Sequence, residues 1–224
     1  MITVYKVGAN QAVPHPLAVR EVSSQLKRGG LALLPTETVY GIGVAVGAYM
    51  DAQAAPALET GYGRIFTLKQ REMSQTVPWL VDGPGALNAY GRDIDAGTRA
   101  LAEALWPGAL TLVVKAAPCV PAFMQAADGT VALRASASPV IQALVKACGS
   151  PLAVTSANTH GAPAPAAFCE VEPRILEGAD VAVDAGATPC RDASTIVSLV
   201  EGEPNVIRQG ALPAQAIREV LTLC

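Results

Sequence analysis

The chain has 224 residues, a formal net charge of -3, and 51% hydrophobic but only 4% aromatic residues. That composition supplies a full core of Ala, Val, Leu and Ile and argues against disorder. The near-neutral charge excludes a global basic field that would hold nucleic acid by counterion release. Mean hydropathy is +0.34. Yet the longest charge-free stretch, Ala147 to Cys169, is rich in Ser, Thr, Asn, His and Pro and cannot span lipid. The start, Met1 to Lys6, lacks the order of a signal peptide, so a cytoplasmic location and no membrane partner are expected. Cys119, Cys148, Cys169, Cys190 and Cys224 include no CxxC pair and no metal-ligand spacing, and they read as free thiols.

In chain order, the first predicted helix opens at Pro16, turns Leu17, Val19, Val22 and Leu26 inward, and stops at Gly29-Gly30. Leu31–Leu34 and Val39–Val46 read as strands. Met50 to Gly63 reads as a weak helix followed by a turn, and Ile65–Leu68 as a strand. A helix over Asp95 to Leu105 carries Leu101, Ala104 and Leu105 on one face and stops before Pro107-Gly108. Strands follow at Leu110–Lys115 and Thr130–Leu133. Ser138-Pro139 opens a helix with Val140, Ile141, Leu144, Val145 and Cys148 inward, closed by Gly149. Then come a strand at Leu152–Thr155, an exposed connection over Thr159 to Ala167, and strands at Val181–Asp184, Thr195–Leu199 and Val206–Arg208. Pro213 opens the last helix, with Ile217, Val220 and Leu221. Strands outnumber helices without one-for-one alternation, which predicts a mixed α/β, α+β-like fold in one domain over residues 1–224.

Chemistry gathers at strand ends. Pro35 to Gly43 packs two hydroxyls, a carboxylate and a phenol (Thr36, Glu37, Thr38, Tyr40) beside Gly41 and Gly43, a costly set to bury unless something binds there. A decorated β-turn explains the same residues. Lys69 and Arg71, two apart at the end of a predicted strand, face one way and suit phosphates or carboxylates. A solvated edge strand is the plainer explanation. Trp106 in Leu105-Trp106-Pro107-Gly108 reads as core. Arg134 ends a strand just before a helix start. Thr155-Ser156-Ala157-Asn158 ends another where open α/β sheets place ligands, and His160 beyond it is a candidate base. Ser194-Thr195 and Arg208-Gln209-Gly210 flank the last strands.

Taken in order, Pro35–Gly41, Lys69/Arg71, Leu105–Gly108, Arg134, Thr155–Asn158, Ser194–Val197 and Arg208/Gly210 resemble the YrdC/TsaC-like family of threonylcarbamoyl-adenylate synthases. The resemblance runs from about Gly30 to Gly210. It implies a single α/β domain with a twisted sheet and flanking helices around a positively lined cavity. The activity implied is a nucleotidyltransferase reaction. Threonine, bicarbonate and ATP give threonylcarbamoyl-AMP and pyrophosphate, with Mg²⁺ carried by the nucleotide, and a downstream transferase passes the group to tRNA. The resemblance assigns Lys69 and Arg71 to catalysis and the phosphates. Thr36, Thr38, Tyr40, Arg134, Ser156 and Ser194 are assigned to threonine, and Thr130, Asn158 and Arg208 to ATP.

Three places depart from the family pattern. Glu72 to Asp82 lacks the family's asparagine and has Asp82 where a histidine falls; Ala48 to Arg64 is long; and Arg134 is followed by Ala-Ser-Ala-Ser. These features also resemble the YciO-like branch, which implies an alternative function as a non-catalytic RNA- or nucleotide-binding relative, with possible tRNA contact.

Overall fold

The computed structural model describes residues 2–7 and 14–223; Met1 and Cys224 lie outside it. Strands β1 (Thr3–Lys6), β2 (Ala32–Pro35), β3 (Tyr40–Ala45), β4 (Trp79–Val81), β5 (Gly91–Arg92) and β6 (Leu110–Ala116) come first. They are followed by β7 (Thr130–Ala135), β8 (Leu152–Ser156), β9 (Val181–Asp184), β10 (Thr195–Ser198) and β11 (Asn205–Arg208). All join one mixed sheet in the order β1-β9-β2-β3-β8-β4-β7-β6-β10-β11, with β5 paired to β6 off the main path. Helices are α1 (Pro16–Lys27), α2 (Gly61–Lys69), α3 (Ala86–Tyr90), α4 (Ala96–Leu105), α5 (Pro139–Cys148), α6 (Pro173–Glu177) and α7 (Ala214–Thr222).

Strand alternation splits the core in two. On one face Tyr40, Ile42, Trp79, Leu112, Leu133 and Val197 join Ile65 and Phe66 of α2 and Leu101 of α4. On the other, Leu34, Leu80, Leu152 and Val154 meet Val22 and Leu26 of α1 and Ile141 and Leu144 of α5. The helices α1 and α5 pack on each other and on β2, and α5 reaches β4; this layer covers only part of its face. At the far edge β11 pairs only with β10, across a register irregularity at Ile196/Val197, and all four of its residues are exposed.

The caps are those the sequence signals. Asp95 accepts from Thr98 N at 2.8 Å, Pro139 starts α5, and Gly149 closes it in the left-handed region at φ 67°. Within α4 the buried residues are Thr98, Leu101 and Ala102, so Ala104 is not on the inner face, and Leu17 of α1 is exposed.

Two expectations are overturned. Ile65–Leu68 is not a strand but the body of α2, capped by Thr60, which accepts from Gly63 N. Lys69 is therefore the last helical residue and Gln70 a left-handed cap at φ 51°, so Lys69 and Arg71 do not share a strand face. Gly61 and Gly63 hide this helix in the sequence. A Cβ on Gly61 would sit 2.2 Å from Gly29 O, and one on Gly63 2.2 Å from Ala57 O. Met50 to Gly63 holds no α-helix before Gly61, and the short strands β1, β4 and β5 were not predicted.

Gly61→Ala separates propensity from packing. Helix propensity favours the alanine by about 1 kcal/mol, whereas the contact with Gly29 O opposes it. Overpacking at the upper end of about 1–3 kcal/mol is expected to prevail, and a thermal melt should show Tm falling by up to about 8 °C.

Candidate functional site

Where the α1–α5 layer ends, the sheet face lies open as a cavity of about 90 Å³, lined by Thr38, Leu80, Arg134, Thr155, Ser156, Ser194 and Arg208 among others. Alternation explains the lining. In β7, Val131, Leu133 and Ala135 enter the core, so Thr130, Ala132 and Arg134 face the other way. In β6, Leu110 and Leu112 enter the core and Thr111 turns to the cavity.

The floor is a buried polar network. Thr36 Oγ1 donates to Val39 O at 2.7 Å and accepts from the amides of Thr38 and Val39 at 3.1 Å each. Thr36's only proton is thus committed, so Thr38 Oγ1 donates to Thr36 Oγ1 across 2.7 Å and accepts from Arg134 Nη1 at 3.0 Å. Arg134 Nε donates to Gly108 O at 3.1 Å, and Nη2 lies 2.5 Å from Glu37 Oε1 as an ion pair, without the alignment of a hydrogen bond. Ser136 Oγ donates to Glu37 Oε2. Burial pushes the Glu37 carboxyl upward, but the adjacent Arg134 guanidinium and the hydrogen bond from Ser136 outweigh it and hold the group below its usual range.

The second cation enters from the sheet edge. Arg208 donates through Nε and Nη2 to Ser194 O at 3.2 and 2.7 Å, and Ser194 Oγ lies 2.8 Å from Thr111 Oγ1. Burial and the Arg134 guanidinium both push Arg208 downward, the mark of two like charges sharing one cavity.

The predicted residues divide. Thr38, Arg134, Ser156, Ser194 and Arg208 line the cavity, and Thr36 supports Thr38 from behind. Tyr40 is fully buried, and its hydroxyl donates to Gly186 O and accepts from Ala185 N, both at 2.9 Å, so it pins the loop leading to Ser194. Burial raises this phenol to about 12. Lys69 is buried against Ser156 and Asn158. Arg71 lies next to the lining residue Thr155, its Nη1 3.5 Å from Thr155 Oγ1, its Nη2 donating to Gln75 O and Thr76 O, and its guanidinium over Phe66.

Four other residues lie away from the lining. Thr130 shares the open face but begins β7, about 13 Å of extended chain from Arg134, and its hydroxyl donates to Asp128, so it lies outside the cavity lining. Asn158 is outside it too, its amide spent on the loop it belongs to. His160 is exposed and gives its backbone amide to Lys69 O, so it is no base for this cavity. Asp82 faces a separate cleft with Tyr90, Lys146 and Ser150. Sequence reasoning missed Thr111, Leu80 and Ser136; for Thr111 the signal was a hydroxyl at an inward-alternating strand position.

Among the described residues no group of three His, Cys, Asp or Glu could hold a metal. Glu37, the carboxylate beside the cavity, is turned to Arg134 and Ser136. Among the described residues the donor set does not fit a protein-held metal. No helix among the described residues is long and apolar enough to cross a membrane.

An open cavity at strand ends, walled by two arginines and short hydroxyls, suits an anionic ligand. The Sua5/YciO/YrdC family model, described as "Telomere recombination", matches residues 24–210, and the chain belongs to that family. A Mycobacterium tuberculosis H37Rv protein provisionally named a threonylcarbamoyl-AMP synthase is 37% identical over 196 residues, 88% of this chain and 85% of its own length. The Pyrococcus abyssi threonylcarbamoyl-AMP synthase is 30% identical over 204 residues. The structure of P. abyssi Sua5 complexed with L-threonine superposes with a TM-score of 0.85 at 27% identity, covering 98% of this chain and 60% of that one. This chain therefore spans under two thirds of the archaeal protein. Escherichia coli YciO shares the fold, with a TM-score of 0.82 at 20% identity over 97% of this chain and 100% of its own.

Glu37→Gln leaves the Arg134 charge buried without its counter-ion, and an equilibrium melt at pH 7 should show a loss of about 3 kcal/mol. Because the folded carboxyl sits below its ordinary 4.5, Glu37 contributes stability above that pH, and the contribution fades as pH falls through the folded value. The Gln variant should show a flatter acid limb below pH 4.5 than the wild type.

Proposed function

We propose that this chain is an L-threonylcarbamoyladenylate synthase, a nucleotidyltransferase joining threonine, bicarbonate and ATP into threonylcarbamoyl-AMP and pyrophosphate for tRNA modification. The observation that carries the reading is Arg134 and Arg208 facing one cavity with Thr38, Ser156 and Ser194 between them. The relatives' names and the threonine complex of P. abyssi Sua5 support it. In this reading the threonine amine and bicarbonate form a carbamate with loss of water, and a carbamate oxygen attacks the α-phosphorus as the bond to the β-phosphate breaks and pyrophosphate leaves. Such chemistry needs reactants held in line and charge stabilised, rather than a nucleophilic side chain.

Arg134 would take the amino acid's carboxylate, with Thr38 and Ser194 as its hydroxyl partners, while Thr36 and Tyr40 hold the walls. Arg208 and Arg71 would meet the phosphates, with Ser156 between the two ligands. Mg²⁺ would arrive on the triphosphate as part of the substrate. The product is a mixed anhydride that needs a transferase to carry the group to tRNA, and the work would take place in the cytoplasm by one domain.

The test is pyrophosphate release with ATP, Mg²⁺ and bicarbonate, with and without threonine. Threonine-dependent release is expected; its absence would mean that this chain shares the fold without the synthase activity. Arg71→Ala should lower turnover at least ~100-fold while the melting curve stays close to the wild type's, and unchanged turnover would remove Arg71 from the phosphate side.

A further inference from the structure

The loop from Ser156 to Ala162 is wrapped around one ammonium. Lys69 Nζ lies 2.5 Å from Ser156 O, 2.8 Å from Asn158 O, 3.3 Å from Asn158 Oδ1 and 3.5 Å from Ser156 Oγ. The residue is 2% exposed. Its own carbonyl accepts from His160 N at 2.8 Å, so Lys69 grips the loop with side chain and backbone together. Asn158 completes the grip. Its Nδ2 donates to Thr159 O at 2.9 Å and to Ala162 O at 2.7 Å, which leaves no amide hydrogen for a ligand. From outside, Glu172 accepts from Thr159 N and Oγ1, and Arg174 donates to Thr159 Oγ1 and to Leu68 O.

An ammonium has three donors, and here four neutral oxygens surround it. To reach a phosphate, Lys69 would have to leave buried acceptors unpaired, whereas Arg208 already lines the cavity and Arg71 lies beside the lining residue Thr155, each with five guanidinium hydrogens to share. Resting on the synthase reading above, we propose that Lys69 and Asn158 are positioning residues, a lock that sets the Ser156 hydroxyl against the cavity. The phosphate contacts then belong to Arg71 and Arg208. Burial first, and then Arg71, pull the Lys69 ammonium down to about 8, which still leaves it charged at neutral pH.

Hydrogen exchange on the ligand-free protein tests the lock without any substrate. In Lys69→Met, the amides of Ala157, His160 and Ala162 should exchange about tenfold faster while those of β3 keep their protection. Asn158→Ala should do the same, and the double variant should add little to either single change. Should Lys69→Met lose its cooperative melt, Asn158→Ala carries the exchange measurement alone. Calorimetric titration with pyrophosphate reads the second half. Arg208→Met should weaken binding about tenfold or more, and Lys69→Met by no more than about threefold. Unchanged loop exchange in the variants, or a Lys69→Met loss equal to that of Arg208→Met, overturns the proposal. Failure of the wild type to bind pyrophosphate would count against the synthase reading and against the phosphate assignment, leaving the lock to stand or fall on exchange.

Discussion

The ion pair between Arg134 and Glu37 organises the site. Its partners come from β7 and from the turn between β2 and β3, and three strands, β3, β8 and β4, separate β7 from β2 in the sheet. One guanidinium therefore ties the sheet's middle to the turn, holding Thr38 through Nη1 and Gly108 through Nε. A buried pair adds little net stability, since desolvation offsets attraction. What it supplies is placement: a planar, permanently charged group held by Glu37, Thr38 and Gly108 before any ligand arrives.

That placement explains how a chain of net charge -3 can present a locally positive cavity. Glu37 pairs with one guanidinium in direct contact, whereas Arg208 enters the same space bonded to a carbonyl and a hydroxyl, with Asp192 acting on its charge without an ion-pair contact. In a partly dehydrated cavity, fixed charges and dipoles act more strongly than they would in water. The surrounding hydroxyls form relays rather than isolated donors. The Arg134–Thr38–Thr36–Val39 chain has one consistent proton order, fixed by the single hydrogen on each threonine.

Sequence reasoning found the residues of the site more readily than the way they are held. Arg134, Ser156, Ser194 and Arg208 were legible because polar residues ending apolar strands stand out. The helix α2 was not, because Gly61 and Gly63 look like breakers, and they are there so that its first turn can lie against the backbone of Gly29 and Ala57. Misplacing that helix misplaced Lys69 and Arg71 with it. Strands of two to four residues, such as β4 and β5, leave too short a pattern to be read. The use of Asn158 as a loop brace was hidden for a different reason: its partners, Lys69 and Ala162, are set by the fold and not by spacing.

The two sides of the cavity differ in mechanical standing. Arg134 rides on β7, flanked by β4 and β6, whereas Arg208 ends β11, the outermost strand, held by β10 alone across an irregular register. The molecule thus works as a vice with one fixed jaw and one that can yield. Ligands that differ near Arg208 can be accommodated by a small shift of an edge strand, while those that differ near Arg134 must fit a wall that cannot move without the whole sheet.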